Sequence, residues 1–338
     1  MTLKQKIFET LDHSLPHHSR VHLLHGYIPP SDSAPVYIKR EDELSPAAIG
    51  SKLRKYLSLL PEIEFHGYQE VILVGSAYSN NLIGLAQFLL SRAVEVHVFI
   101  KDPGDRQPSG NLLFLKMLLP EWSIHALPGP DWPDVIQHAE AFAQSRRAVG
   151  KKILVVPEGG DCRAVIPGLL TLAVDIEADQ NTLGFEFTDI WTDSGTGISA
   201  IGLLLGMRLL GMTMPHVHIT LIAGNEQEFA ERYQRFERWT SEWLGTEIPR
   251  ESPKVSLTKS ATAAAFGSIN KTIQTETLRI ARETGILMDP VYSVKHLFTV
   301  KQALANLSPA GPQLVLYNGG PLGLCGFQQM FAGLLNTK

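Results

Sequence analysis

Short runs rich in Val, Ile and Leu alternate along the chain with longer stretches whose apolar residues recur every three to four positions. The short runs predict strands at 36–39, 70–74, 95–100, 153–156, 189–192, 218–222 and 313–317. The longer ones predict helices at 52–60, 80–91, 111–118, 132–147, 199–210, 226–243 and 271–283. Most strand runs are apolar almost throughout, as expected where helices cover both faces of a parallel sheet. The alternation predicts an α/β architecture. Two stretches, 102–110 and 249–260, read as exposed loops because prolines and polar residues replace the periodic pattern.

Composition narrows the function. The 338 residues are 44% hydrophobic and 19% charged, the balance of a folded globular protein. A net charge of −4 with Lys and Arg spread along the chain argues against nucleic acid or an anionic membrane as partner, since both need a basic patch. No uninterrupted apolar stretch reaches the roughly 18–20 residues of a membrane span. Residues 1–15 mix Lys4, Lys6, Glu9 and Asp12 with apolar positions and lack the core of a secretory signal. Cys162 and Cys325 are the only cysteines, which suggests reduced thiols and a cytoplasmic setting.

Candidate chemistry gathers in glycine-rich turns placed just after predicted strands, where α/β proteins build ligand sites. Four such turns begin at Gly75, Glu158, Ser194 and Asn318, and together they point to an extended cleft. The segment Gly195-Thr196-Gly197-Ile198-Ser199 lies between a strand and a helix, so free amides and the helix dipole converge on one spot. That arrangement binds phosphate without a basic side chain. Gly195, Gly197 and Ala200 also satisfy the dinucleotide fingerprint of dehydrogenases, but the strand that follows ends in Ala223-Gly224-Asn225, without the acid such a site requires. Lys52 stands at the predicted start of a helix, where the dipole disfavours an ammonium and favours a nucleophilic amine. Arg54 and Lys55 are expected to push the same way. The N-terminal histidines, with His18 and His22 at helical spacing, are not assigned a metal, because Pro16 interrupts the helix and no acid or cysteine completes a ligand set with them. Cys162 is read as a small buried thiol.

In order along the chain, these pieces resemble the fold-type II pyridoxal-phosphate enzymes, in particular the family of 1-aminocyclopropane-1-carboxylate deaminase and D-cysteine desulfhydrase. Ile38-Lys39-Arg40-Glu41-Asp42 followed by Gly50-Ser51-Lys52-Leu53-Arg54-Lys55 is similar to that family's K-R-D/E-D and G-N-K-x-R-K. Gly75 to Asn81 resembles its G-G-x-Q-S-N-H, Gly110 to Leu113 its G-N-L-L, and Pro157 to Gly160 its P-E-G-G. Gly195 to Gly197 resembles its phosphate loop, Asp289 to Tyr292 its D-P-V-Y, and Asn318 to Gly320 its H-T-G-G.

The resemblance implies a fold like that of the tryptophan synthase β chain: two domains with twisted, mostly parallel sheets. Residues 1–63 and 151–338 would form the larger, cofactor-binding domain. Residues 64–150 would form a smaller inserted α/β domain, with the active site in the cleft between. It implies pyridoxal 5′-phosphate on Lys52, with Gly195, Thr196, Gly197, Ile198 and Ser199 holding the phosphate. Asn80 would meet the ring 3′-oxygen, and Asn318 would also touch the cofactor. Ser79 and Tyr292 would join Lys52 in catalysis, and Tyr78, Ser79, Asn81 and Gly160 would face the substrate. The activity implied is deamination or β-elimination of a small amino acid, giving ammonia and a 2-keto acid, in a homodimer without metal. Alternatives are a β-replacement synthase and a cofactor-binding protein without turnover. Tyr78, Asn81, Ser51, Phe266, Ser293 and Asn318 depart from the family pattern. Ser293 stands where the deaminases carry Glu, and a neutral partner for the ring nitrogen is expected to favour a β-substituted amino acid such as D-cysteine over cyclopropane opening.

Overall fold

The computed structural model describes residues 2–29, 34–45, 49–104, 107–307 and 309–336. Its strands are β1 (Val21–Leu23), β2 (Val36–Arg40), β3 (Glu70–Gly75), β4 (Glu95–Lys101), β5 (Ile124–Leu127), β6 (Ile153–Val156), β7 (Asp189–Ser194), β8 (His216–Leu221), β9 (Val255–Lys259) and β10 (Gln313–Tyr317). The helices are α1 (Leu3–Phe8), α2 (Lys52–Phe65), α3 (Asn80–Leu90), α4 (Gly110–Leu118), α5 (Val135–Ala148), α6 (Ile166–Leu183), α7 (Ile198–Leu210), α8 (Glu226–Leu244), α9 (Lys271–Thr284), α10 (Ser293–Asn306) and α11 (Gln328–Asn336).

The strands form two sheets. One runs β1-β2-β10-β7-β8-β9 and the other β5-β4-β3-β6. Every pairing is parallel except that of β1 with β2. Along β3, Val71 and Leu73 face one apolar cluster while Ile72 and Val74 face another, which is why the strand reads as an unbroken apolar run. The first cluster continues through Ile190 and Leu314 of the larger sheet, so both sheets share one interior. The smaller sheet takes its strands from residues 70–156, β6 included.

The sequence expectation lacks α1, β1, β5, α6, β9, α10 and α11, and three differences have a clear physical reason. Helix α2 continues past 60 through Pro61. Proline cannot donate to the carbonyl four residues back, and the amide of Asp12 supplies that carbonyl, Leu57 O, with a donor at 2.7 Å. Helix α6 is absent from the predicted set, and it begins with Pro167 in its first turn, where the proline's missing N–H has no partner to lose. The stretch 249–260 contains β9, paired with β8 at the sheet edge.

Candidate active site

The start of α2 is set by backbone contact. Gly50 has φ +55°, and a Cβ there would lie 1.9 Å from Asn318 O. The amide of Ser51 donates to that same carbonyl at 3.0 Å. Only glycine allows the two segments this close, and the contact places Lys52 beside the end of β10. Deeper in α2, the buried Arg54 forms a fork with Glu41, 2.6 Å at both contacts, and reaches Asp175 at 2.6 Å. Lys39 joins Asp175 at 2.8 Å and Asp179 at 2.6 Å. His18, set aside as a metal ligand, also pairs with Asp175.

These pairs correct one expectation. The Arg54 charge is met by carboxylates, so it does not drive the Lys52 pKa. Burial pushes the Lys52 ammonium down, and the carboxylates of Asp193 and Asp289 oppose the shift. Burial and the charge of Lys52 push Lys55 down to about 7, while its Nζ donates to Gly159 O at 2.6 Å.

A cavity of about 600 Å³ opens above Lys52. The segments after β3, β6, β7 and β10 line it, so it lies at the carboxyl ends of parallel strands from both sheets. Gly195 to Ser199 form one wall. Gly197, at φ +86°, caps the start of α7, and the amides of the first helical turn have no intrahelical acceptor. Arg232 donates to Thr196 O at 2.5 Å, which holds this loop against α8. The ring of Tyr292 covers Gly195, where a Cβ would come within 3.0 Å of it.

Across the cavity, Ser79 caps α3, its hydroxyl oxygen accepting from the amides of Asn81 at 3.1 Å and Leu82 at 3.4 Å. The Asn80 side chain accepts from Asn111 at 2.7 Å and leaves no room for a Cβ on Gly320, which would come within 2.8 Å of its amide nitrogen. Tyr78 is exposed at the mouth, as is Phe266, whose ring meets Tyr292 edge-on at 5.8 Å. Asn81 reaches the lining but is buried and accepts from the Tyr56 hydroxyl. Gly160 does not line the cavity; Gly159 does.

Sequence reasoning left the lining carboxylates Glu158, Asp193 and Asp289 without a role. Burial raises the Asp289 pKa against hydrogen bonds from Ser293 and from the backbone of Tyr292 and Ser293. Ser293 itself is buried and donates to Asp289 Oδ2 at 2.7 Å. The signal for Asp289 was its place in the Asp-Pro-Val-Tyr motif; Asp193 had only its position before the glycine loop. Burial pushes the Cys162 thiol up to about 12, which leaves little thiolate for nucleophilic work.

No protein-family model matches the chain. A Pyrococcus abyssi protein provisionally named a 1-aminocyclopropane-1-carboxylate deaminase is 25% identical over 89% of this chain and 88% of its own. The D-cysteine desulfhydrase of Serratia proteamaculans is 24% identical over 84% and 86%. A solved structure described as an ACC deaminase homologue matches with a TM-score of 0.80 at 23% identity, over 97% of this chain and 99% of that one. That of a pyridoxal 5′-phosphate-dependent aspartate racemase matches at 0.62 and 15%, over 94% of each chain. The chain is thus a homologue of the 1-aminocyclopropane-1-carboxylate deaminase and D-cysteine desulfhydrase group, with the fold of the fold-type II pyridoxal-phosphate enzymes.

Proposed function

We propose that the protein is a pyridoxal-phosphate-dependent deaminase or β-eliminating lyase that releases ammonia and a 2-keto acid from a small amino acid. One observation carries this reading. A half-buried lysine, an amide-rich helix start suited to phosphate and a second helix start suited to carboxylate open into a single cavity. These residues fit the cofactor, and Asn318 adds a buried acceptor, Oδ1, with no donor among the described residues.

In this reading Lys52 holds the cofactor covalently and the amides of Gly195 to Ser199 hold its phosphate, with Asn80 and Asn318 at the ring. The bound group supplies an electron sink for the substrate α-carbon. The lowered pKa of Lys52 favours the neutral amine it needs as nucleophile and then as the base that takes the α-proton. The Ser79 hydroxyl, already accepting twice, keeps its proton to donate to the substrate carboxylate, which the α3 dipole also favours. Burial raises the Tyr292 pKa, so the phenol stays protonated and can donate near the reacting carbon. Tyr78 shapes the substrate side.

A homodimer in a reducing, cytoplasmic setting belongs to the same reading; Cys162 and Cys325 are free thiols. No helix among the described residues is long and apolar enough to cross a membrane.

The test is keto-acid and ammonia release from D- and L-amino acids and from 1-aminocyclopropane-1-carboxylate. Lys52→Ala is expected to lower turnover by roughly 10²-fold or more, whereas Tyr292→Phe leaves a measurable remainder. Borohydride reduction and peptide mapping should place the pyridoxyl label on Lys52. A label on Lys39 or Lys55, or no keto acid from any substrate, would sink the reading.

A further inference from the structure

Asn318 follows β10 and Asp193 lies near the end of the neighbouring strand β7. The Asn318 amide nitrogen donates to Asp193 Oδ1 at 2.8 Å and to Thr192 Oγ1 at 3.0 Å. An ionised carboxylate only accepts, so the amide must turn its NH2 towards Asp193. Its oxygen is thereby fixed on the other side, buried and without a donor among the described residues. Such an atom, in a residue that lines the cavity, calls for a ligand that donates.

We propose that Asp193, acting through Asn318, keeps the cofactor ring nitrogen protonated, with Asn318 Oδ1 accepting the ring N–H. The inference rests on the pyridoxal-phosphate reading above and assigns Asp193 as a positioning residue. A neutral ring nitrogen presents a lone pair and would oppose the lone pairs of Oδ1; a protonated one satisfies the orphaned acceptor. The Asp193 charge behind the amide favours the same state. Among the described residues, Lys52, Asp289, Tyr292, His296 and Tyr317 feel the Asp193 carboxylate. Burial holds His296 towards its neutral form. Ser293 takes no part: it gives its hydroxyl to Asp289 and does not line the cavity. The site therefore has a charged relay where the sequence suggested only neutral partners. The resulting stronger electron sink removes the stated ground for favouring D-cysteine over the cyclopropane.

The test is nitrogen NMR of protein loaded with ring-15N pyridoxal phosphate, with visible absorbance confirming that the cofactor is bound. The wild type is expected to show a protonated ring nitrogen near neutral pH. Asp193→Asn should shift the resonance towards the unprotonated ring, and Asp193→Glu should restore it. Asn318→Leu, which removes the acceptor and leaves Asp193 in place, should give the same shift even if Asp193→Asn fails to fold. Bound cofactor with an unprotonated nitrogen in the wild type, or unshifted resonances in the folded variants, overturns this proposal alone. No binding by the wild type overturns the cofactor reading with it.

Discussion

Replacing Arg54 with methionine would leave Glu41 and Asp175 as buried carboxylates without their shared cation. Removing one partner of a buried ion pair costs about 3–5 kcal/mol, so the urea midpoint of Arg54→Met should fall sharply at neutral pH. Burial alone would raise the Asp175 pKa, but Arg54 and Lys39 outweigh it and hold the carboxyl below its ordinary value of 3.8. A depressed folded-state pKa gives stability that is present above that ordinary value and lost as pH falls through the depressed one. The difference between wild type and variant should therefore narrow in acid. A gap that stays constant down to the acid transition would contradict the assignment. At this scale the sequence reveals identities better than partners. Lys52 and Asn318 could be singled out from their motifs, whereas the pairing of Arg54 with Asp175, 121 positions apart, leaves no local pattern. Asp193 was missed for the same reason, since its partner is 125 residues away.

The turn from β7 into α7 can be tested as an element. Gly197 adopts φ +86°, and a Cβ there would meet Phe229 at 3.0 Å. A left-handed non-glycine residue costs roughly 1–2 kcal/mol, so Gly197→Ala should lower stability modestly. It should also weaken pyridoxal-phosphate binding by about tenfold or more, because the loop amides must shift (on the order of one charge-assisted hydrogen bond). Equilibrium binding to the purified variant checks this; unchanged affinity in a folded variant would mean that phosphate sits elsewhere. Elements were legible where one period dominated. The predicted strands 153–156 and 313–317 coincide with β6 and β10. Helix α6 was harder because it is buried nearly all round, which erases the polar face that marks a helix. Strand β9 was harder for the opposite reason: it has no buried residue, so nothing in its alternation points to a core.

On the scale of the whole molecule, the alternation of short and long apolar stretches was enough to recognise parallel α/β layers. Periodicity alone did not assign strands to sheets, since a strand's apolar pattern is silent about which neighbour it pairs with. That assignment decides where the cavity lies, and it also bears on how the protein holds together. The Asn80 wall follows a strand of one sheet and the Asn318 wall a strand of the other. A molecule seated there is therefore a strut spanning two sheets, and its binding free energy adds to the cost of separating them. Hydrogen–deuterium exchange with and without pyridoxal phosphate should reveal it. Amides of β3 and β10 are expected to exchange more slowly in the loaded protein, because openings that part the sheets must first release the strut. Protection confined to Gly195–Ser199 would instead describe a cofactor resting on one wall. If the strut is real, the apoprotein will also be cut by proteases sooner than the loaded form, and cofactor supply will set how long each copy of the chain survives.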